Sequence, residues 1–180
     1  MSSDLGTSVK IYNDVYDFIS PSKLTGSLNG KVALITGASR GIGKAMALAF
    51  AEAGADVALL ARTKSQLEDV ASTIRSQYGK RALVLAVDAT DEKAVTDAVR
   101  TTELELGPLD VAVANAGVGS TRPFASTPMT EWWKVMEVNV KGQLLVAQAA
   151  SKSMRTKGKG IVIFNASLAA VMSFRECRRD

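Results

Sequence analysis

The stretch Lys31–Gly43, KVALITGASRGIG, decides the fold. Its first half, Lys31 to Thr36, is a short apolar run rich in branched residues, the pattern of a strand buried on both faces. Its second half, TGASRGIG (Thr36 to Gly43), leaves that strand and opens a helix. Gly37 permits the tight turn, Gly41 lets the backbone approach an anion, and Gly43 allows close packing of the helix. Ser39, Arg40 and Ile42 fill the loop between them. A helix N-terminus offers free N–H groups and a positive dipole end, so this loop is expected to cradle a pyrophosphate. A bare glycine triplet is equally an ordinary turn; here a strand and a helix flank it as a nucleotide loop requires.

Outward from this loop, strand and helix patterns alternate. After the loop, Ile42, Ala45, Met46, Ala49, Phe50 and Ala53 recur at helical spacing and Gly54 follows as a stop. DVALLA (Asp56 to Ala61) reads as a second strand. Thr63 with Gln66 is placed for a capping box on a helix striped with Leu67, Val70, Ala71 and Ile74. ALVLAV (Ala82 to Val87) reads as the third strand, followed by a helix carrying Val95, Ala98, Val99 and Leu106. LDVAVA (Leu109 to Ala114) is the fourth, and one long helix is expected from Pro128 to about Thr156 before the fifth, GIVIF (Gly160 to Phe164). Strands and helices in alternation imply right-handed βαβ units, hence an α/β doubly wound parallel sheet of the Rossmann type. Ligands of such sheets lie beyond the strands' carboxyl ends, near the point where strand order reverses.

Composition excludes several function classes. The chain has 180 residues, a net charge of +4 and no histidine, which removes Ser-His-Asp and His-ligated-metal chemistry. One cysteine, Cys177, allows neither an internal disulfide nor a thiolate zinc cage. The small basic excess, without basic runs interleaved with aromatics, argues against a nucleic-acid partner, and no apolar stretch is long enough to span a membrane. Residues 1–30 read as an N-terminal arm laid over the outside of the domain, without a targeting signal, so a cytoplasmic location is expected. Residues 31–174 read as the nucleotide-binding domain and 175–180, RECRRD, as a charged tail.

The ordered motifs resemble the classical short-chain dehydrogenases/reductases. The Gly-x-x-x-Gly-x-Gly spacing is that family's, and VDATD, NAG, NVKG and FNAS follow it in order. The resemblance covers roughly residues 30 to 174 and implies an NAD(P)-dependent oxidoreductase acting on a small-molecule carbonyl or alcohol, homo-oligomeric when intact. It places Asp88 against the adenine, Asn115, Ala116 and Gly117 along the cofactor, Asn139 as the catalytic asparagine and Ser167 as the catalytic serine. The residues themselves admit plainer roles. Asp88 can cap the following helix, Ser167 can be a strand-end turn residue, and Asn139, on the apolar stripe of Trp132, Val135, Met136 and Val140, requires a specific hydrogen-bond partner. Trp132 and Trp133 read as packing residues.

Cofactor choice turns on the end of the second strand. A carboxylate there would hydrogen-bond the ribose 2′-hydroxyl of NAD; the sequence has Ala61-Arg62-Thr63 instead, with Arg40 in the glycine loop. Two guanidiniums suit a 2′-phosphate, so NADP is expected over NAD, the alternative being two solvated surface arginines. One departure from the family stands out. Its Tyr-x-x-x-Lys, about thirteen residues past the serine, would fall at Asp180, and Tyr12, Tyr16 and Tyr78 have no lysine four residues on. The chain therefore reads as a member truncated before its catalytic acid, with a shifted reading frame or a retained intron behind the charged tail. Two further readings are a catalytically silent NADP(H)-binding fragment and a regulatory Rossmann module.

Overall fold

In the computed structural model the described residues are 20–120, 122 and 124–167; residues 1–19 of the expected arm, 168–174 of the domain and the 175–180 tail lie outside them. Five parallel strands form one sheet: β1 (Val32–Thr36), β2 (Asp56–Ala61), β3 (Ala82–Ala86), β4 (Val111–Ala114) and β5 (Ile161–Phe164), in the order β3-β2-β1-β4-β5. The helices are α1 (Gly41–Glu52), α2 (Lys64–Tyr78), α3 (Glu92–Leu106), α4 (Met129–Met136) and α5 (Gln143–Thr156).

Strand alternation sorts the core into two halves. Val32 and Leu34 face α3 and α5, while Ala33 and Ile35 face α1 and α2. All five β1 residues are buried, as a central strand covered on both faces must be. Leu34 pairs with Ala58 on one side and Ala112 on the other, so β1 sits between β2 and β4. The chain runs outward to β3 and then crosses back to β4, which sets the reversal of strand order between β1 and β4. The doubly wound fold is the expected one, and the stripes expected on α2 and α3 are the buried ones.

Four local expectations are corrected. The most buried face of α1 is Gly43, Ala47 and Ala51, small residues that let the helix lie close; of the expected stripe, Ala53 is buried and Met46 and Phe50 are partly buried against the core, but Ile42 is 62% exposed. Thr63 is the N-cap of α2, but no capping-box bond is made by its side chain. The long helix is divided by a π-helical turn, Glu137–Gly142, between α4 and α5. That turn packs against the loop after β3, where a Cβ on the buried Gly142 would lie 3.2 Å from the Ala89 carbonyl oxygen. Trp133 is 65% exposed rather than packed, and with Met136, Val140 and Leu144 it forms an apolar groove on α4–α5, while Trp132 and Val135 are half-buried.

The described end of the arm, residues 20–30, is fastened to the amino end of the sheet. Leu28 N donates to Ala53 O (2.8 Å), and Asn29 lies against Gly54, whose φ of 107° only glycine adopts freely. No helix among the described residues is long and apolar enough to cross a membrane, and none of their His, Cys, Asp and Glu side chains form a metal-binding group.

Candidate functional site

A cleft of about 570 Å³ opens over the carboxyl ends of β1, β2 and β4 at the strand-order reversal. Thr36 is its foundation. The residue is 1% exposed, and its hydroxyl accepts from Asn115 N (2.9 Å) and Ala116 N (3.0 Å) and donates to Val113 O (3.3 Å), using its whole hydrogen-bonding capacity. Asn115 Nδ2 donates back to Thr36 O (2.8 Å). These bonds lock the end of β4 onto the start of the glycine loop.

The loop is shaped by its glycines. Gly37 turns at φ 68°, and a Cβ there would meet Asn115 Nδ2 at 2.9 Å. A Cβ on Gly43 would collide with the Gly37 carbonyl and lie 2.6 Å from Asn115 Nδ2, so its tight packing is against the turn and the amide. Gly41, at φ 53°, has no atom within 4 Å of its Cβ position. The first turn of α1, whose leading N–H groups have no intrahelical acceptor, borders open space at Gly41, where a phosphate would fit.

All of the expected cofactor residues line this one cleft: Gly37, Ser39, Arg40, Gly41, Ile42 and Gly43 from the loop, Arg62 after β2, Asp88 after β3, and Asn115, Ala116 and Gly117 after β4. Asp88 is the sole carboxylate among the described lining residues, against the two guanidiniums of Arg40 and Arg62. It does not cap α3; Asp91 does, accepting from Ala94 N at 2.9 Å. Asp88 instead accepts from Thr90 N (3.0 Å) and Thr90 Oγ1 (2.9 Å). The Thr90 N–H, with the Thr90 hydroxyl and the Arg62 charge, holds the Asp88 carboxyl below its ordinary value.

The two expected catalytic residues lie outside the lining. Asn139, in the π-helical turn, has the partner its position demanded: Oδ1 accepts from Val118 N and Nδ2 donates to Val118 O, both at 2.8 Å. It clamps the loop after β4, and Val118 in turn lines the cleft. Ser167 is exposed, three residues beyond β5. No Tyr, Lys, His or Cys is among the described lining residues. Thr36, Asn165 and Val138 also line the cleft, and sequence reasoning assigns none of them a role there. The signal for Thr36 and Asn165 is the same: a polar residue closing an apolar strand.

A doubly wound parallel sheet with a glycine loop and an open cleft at its strand-order reversal is the architecture of dinucleotide-binding α/β proteins. The family is shown by comparison: the short chain dehydrogenase profile matches residues 31–177, and this chain belongs to that family of oxidoreductases. A short chain dehydrogenase of Pseudocercospora fijiensis is 39% identical over 168 residues, 92% of this chain and 54% of that one. Among solved structures, a short-chain type dehydrogenase/reductase from Mycobacterium marinum superposes with a TM-score of 0.80 at 40% identity, covering 87% of this chain and 63% of its own. The L-sorbose reductase of Gluconobacter frateurii, solved with NADPH and L-sorbose, gives a TM-score of 0.76 at 36% identity, covering 80% of this chain and 55% of its own. The chain thus spans between 54% and 63% of the length of these three relatives.

Proposed function

We propose that this chain binds NADP(H) in the cleft over β1, β2 and β4, as the nucleotide-binding half of a cytoplasmic, homo-oligomeric oxidoreductase that interconverts a small carbonyl and its alcohol. The observation that carries this reading is the pairing of an open anion cradle at Gly41 with Arg40 and Arg62 in one cleft. Arg62 stands where a carboxylate would select NAD, and guanidiniums grip a phosphate through paired N–H donors. The NADPH bound by the sorbose reductase relative is in keeping with this choice.

In this reading the residues divide their work. Gly37, Ser39, Arg40, Gly41, Ile42 and Gly43 hold the phosphates, Arg62 the 2′-phosphate, and Asp88 the adenine, while Asn115, Ala116 and Gly117 line the path to the nicotinamide. The bound nicotinamide supplies or takes the hydride. Ser167 hydrogen-bonds the substrate oxygen, and Asn139 holds the β4 loop from which the pocket continues. The 180 residues contain no Tyr-x-x-x-Lys, and no Tyr, Lys, His or Cys stands among the described residues of the cleft to complete the proton transfer. Losing such an acid costs about 10²–10⁴ in rate. We infer that the 180-residue chain is catalytically silent while binding the nucleotide.

The test is a paired assay. NADPH fluorescence should titrate with the chain, whereas NADPH oxidation with a panel of ketones, diketones and quinones should stay at background. Turnover abolished by Ser167→Ala would contradict the silent reading; no change in NADPH fluorescence would contradict the binding site itself.

A further inference from the structure

We propose that Asn165 is a positioning residue for the dinucleotide site, acting by fixing which way the Asn115 amide points; the inference rests on the cleft being the nucleotide site. Asn165 directly follows β5, and its backbone continues the sheet by donating to Ala114 O (3.0 Å). Its side chain does something the sheet does not require: Nδ2 donates to Asn115 Oδ1 at 2.8 Å. On the other side Asn115 Nδ2 donates to Thr36 O, also at 2.8 Å. The two amides form a directional chain from β5 through β4 to β1.

Direction is the point. A primary amide has one acceptor end and one donor end, and rotating it by a half turn exchanges them. Thr36 O, a carbonyl, can only accept, so it needs the donor end of Asn115. Asn165 supplies a donor, so it needs the acceptor end. Both demands select one orientation, and that orientation matters because the Asn115 amide is wedged between two glycines of the phosphate loop. Its Nδ2 lies where a Cβ on Gly37 would be 2.9 Å away and a Cβ on Gly43 2.6 Å away. The amide thus fills the space that side chains at Gly37 and Gly43 would need, and it turns its donor end, Nδ2, toward the loop. Gln143 Nε2 reaches Asn165 O at 3.4 Å, which ties the start of α5 to the same residue.

Asn165→Asp replaces a donor with a carboxylate that can only accept. Asn115 then stands between two acceptors, and feeding either one leaves the other facing an oxygen. Once protonated, the carboxyl introduced by that substitution carries an O–H and can donate again, so the defect should be reversible with pH in one and the same protein. Asn165→Ala removes the donor permanently.

The experiment titrates NADP⁺ into the full chain, the Asn165→Ala and the Asn165→Asp variants at pH 8 and at pH 4.5, each variant read as a ratio to the unaltered chain at the same pH. The expected result is about tenfold weaker binding by both variants at pH 8. At pH 4.5 the deficit of Asn165→Asp should close to about threefold or less while that of Asn165→Ala persists. A merely structural role would not produce recovery confined to the carboxyl variant. Should Asn165→Asp fail to fold, Asn165→Ala with unaltered affinity at pH 8 still overturns the proposal. Equal affinity of all three proteins overturns it and leaves the nucleotide site standing, as does an Asn165→Asp deficit that ignores pH. An unaltered chain that binds no NADP⁺ overturns both.

Discussion

The two ends of the sheet use charge in opposite ways. At the amino ends of β1, β2 and β4, Asp110 takes Lys157 at 2.9 Å, Lys31 at 3.4 Å and the Val32 N–H at 3.0 Å, and Arg81 holds Asp56 at 2.8 Å together with the Glu105 and Leu106 carbonyls. At the carboxyl ends, Arg40 and Arg62 make no side-chain hydrogen bond or ion pair with another described residue. Charge at one end is spent on holding strands in register. At the other, Arg40 and Arg62 line a cleft that the first turn of α1 also borders. The difference teaches where stability and binding are separable in this fold, and it makes the amino end the natural control for experiments on the carboxyl end.

The largest effect should come from closing the cradle. Gly41→Val puts a branched side chain into the open space above α1 at a φ of 53°. NADP(H) affinity should fall by at least about 100-fold, with left-handed strain costing about 1–2 kcal/mol of stability. Calorimetry and thermal unfolding on the same protein read the two quantities separately.

At the opposite end the pattern should invert. Asp110→Asn breaks the Lys157 and Lys31 pairs and weakens the bond to the Val32 N–H. We expect a loss of about 2 kcal/mol, or about 6 °C in the unfolding midpoint, with nucleotide affinity unchanged within about twofold. A change in affinity comparable to the change in stability would break the separation.

Thr36 sits where the two properties meet, since its hydroxyl belongs to the core and to the cleft. Thr36→Val leaves the Asn115 and Ala116 N–H groups without their acceptor and should cost about 1–2 kcal/mol in stability and about fivefold in affinity.

The smallest effect is a pH dependence. Burial works to raise the Asp110 carboxyl, but Lys157, the Val32 N–H and Lys31 together hold it below its ordinary value of 3.8, and the Thr90 N–H does the same for Asp88. Groups with lowered values in the folded state contribute stability that is complete above the ordinary value and is lost as pH falls through the lowered one. Urea midpoints should therefore be flat from pH 7 to about 5 and fall below about 4, less steeply in Asp110→Asn.

Much of this was legible in the residues. The alternation of apolar runs and helical stripes specified the sheet, and the glycine spacing placed the cleft, because both rest on periodicities that tertiary contacts reinforce. What escaped reading depended on contacts between distant segments. The most buried face of α1 is Gly43, Ala47 and Ala51, and Gly43 packs directly on the Gly37 turn, a contact that helical spacing alone cannot report. The π-helical turn sets Gly142 against Ala89 and Asn139 against Val118, partners 53 and 21 positions away. Asn139 was legible as an amide on an apolar stripe needing a partner, but not which backbone it would hold. The exposure of Trp133 was illegible for a simpler reason: an apolar residue on an apolar stripe looks the same whether another surface covers it or water does.

In the proposed function, Arg40 and Arg62, without a side-chain partner among the described residues, select a phosphorylated dinucleotide. Isothermal titration of NADP⁺ and NAD⁺ into the chain and into Arg62→Asp tests it most directly. The account predicts tighter binding of NADP⁺ by the unaltered chain, and a drop of about tenfold or more for NADP⁺, with NAD⁺ unchanged or improved, in the variant. Equal affinities for the two nucleotides, left as they were by Arg62→Asp, would contradict it.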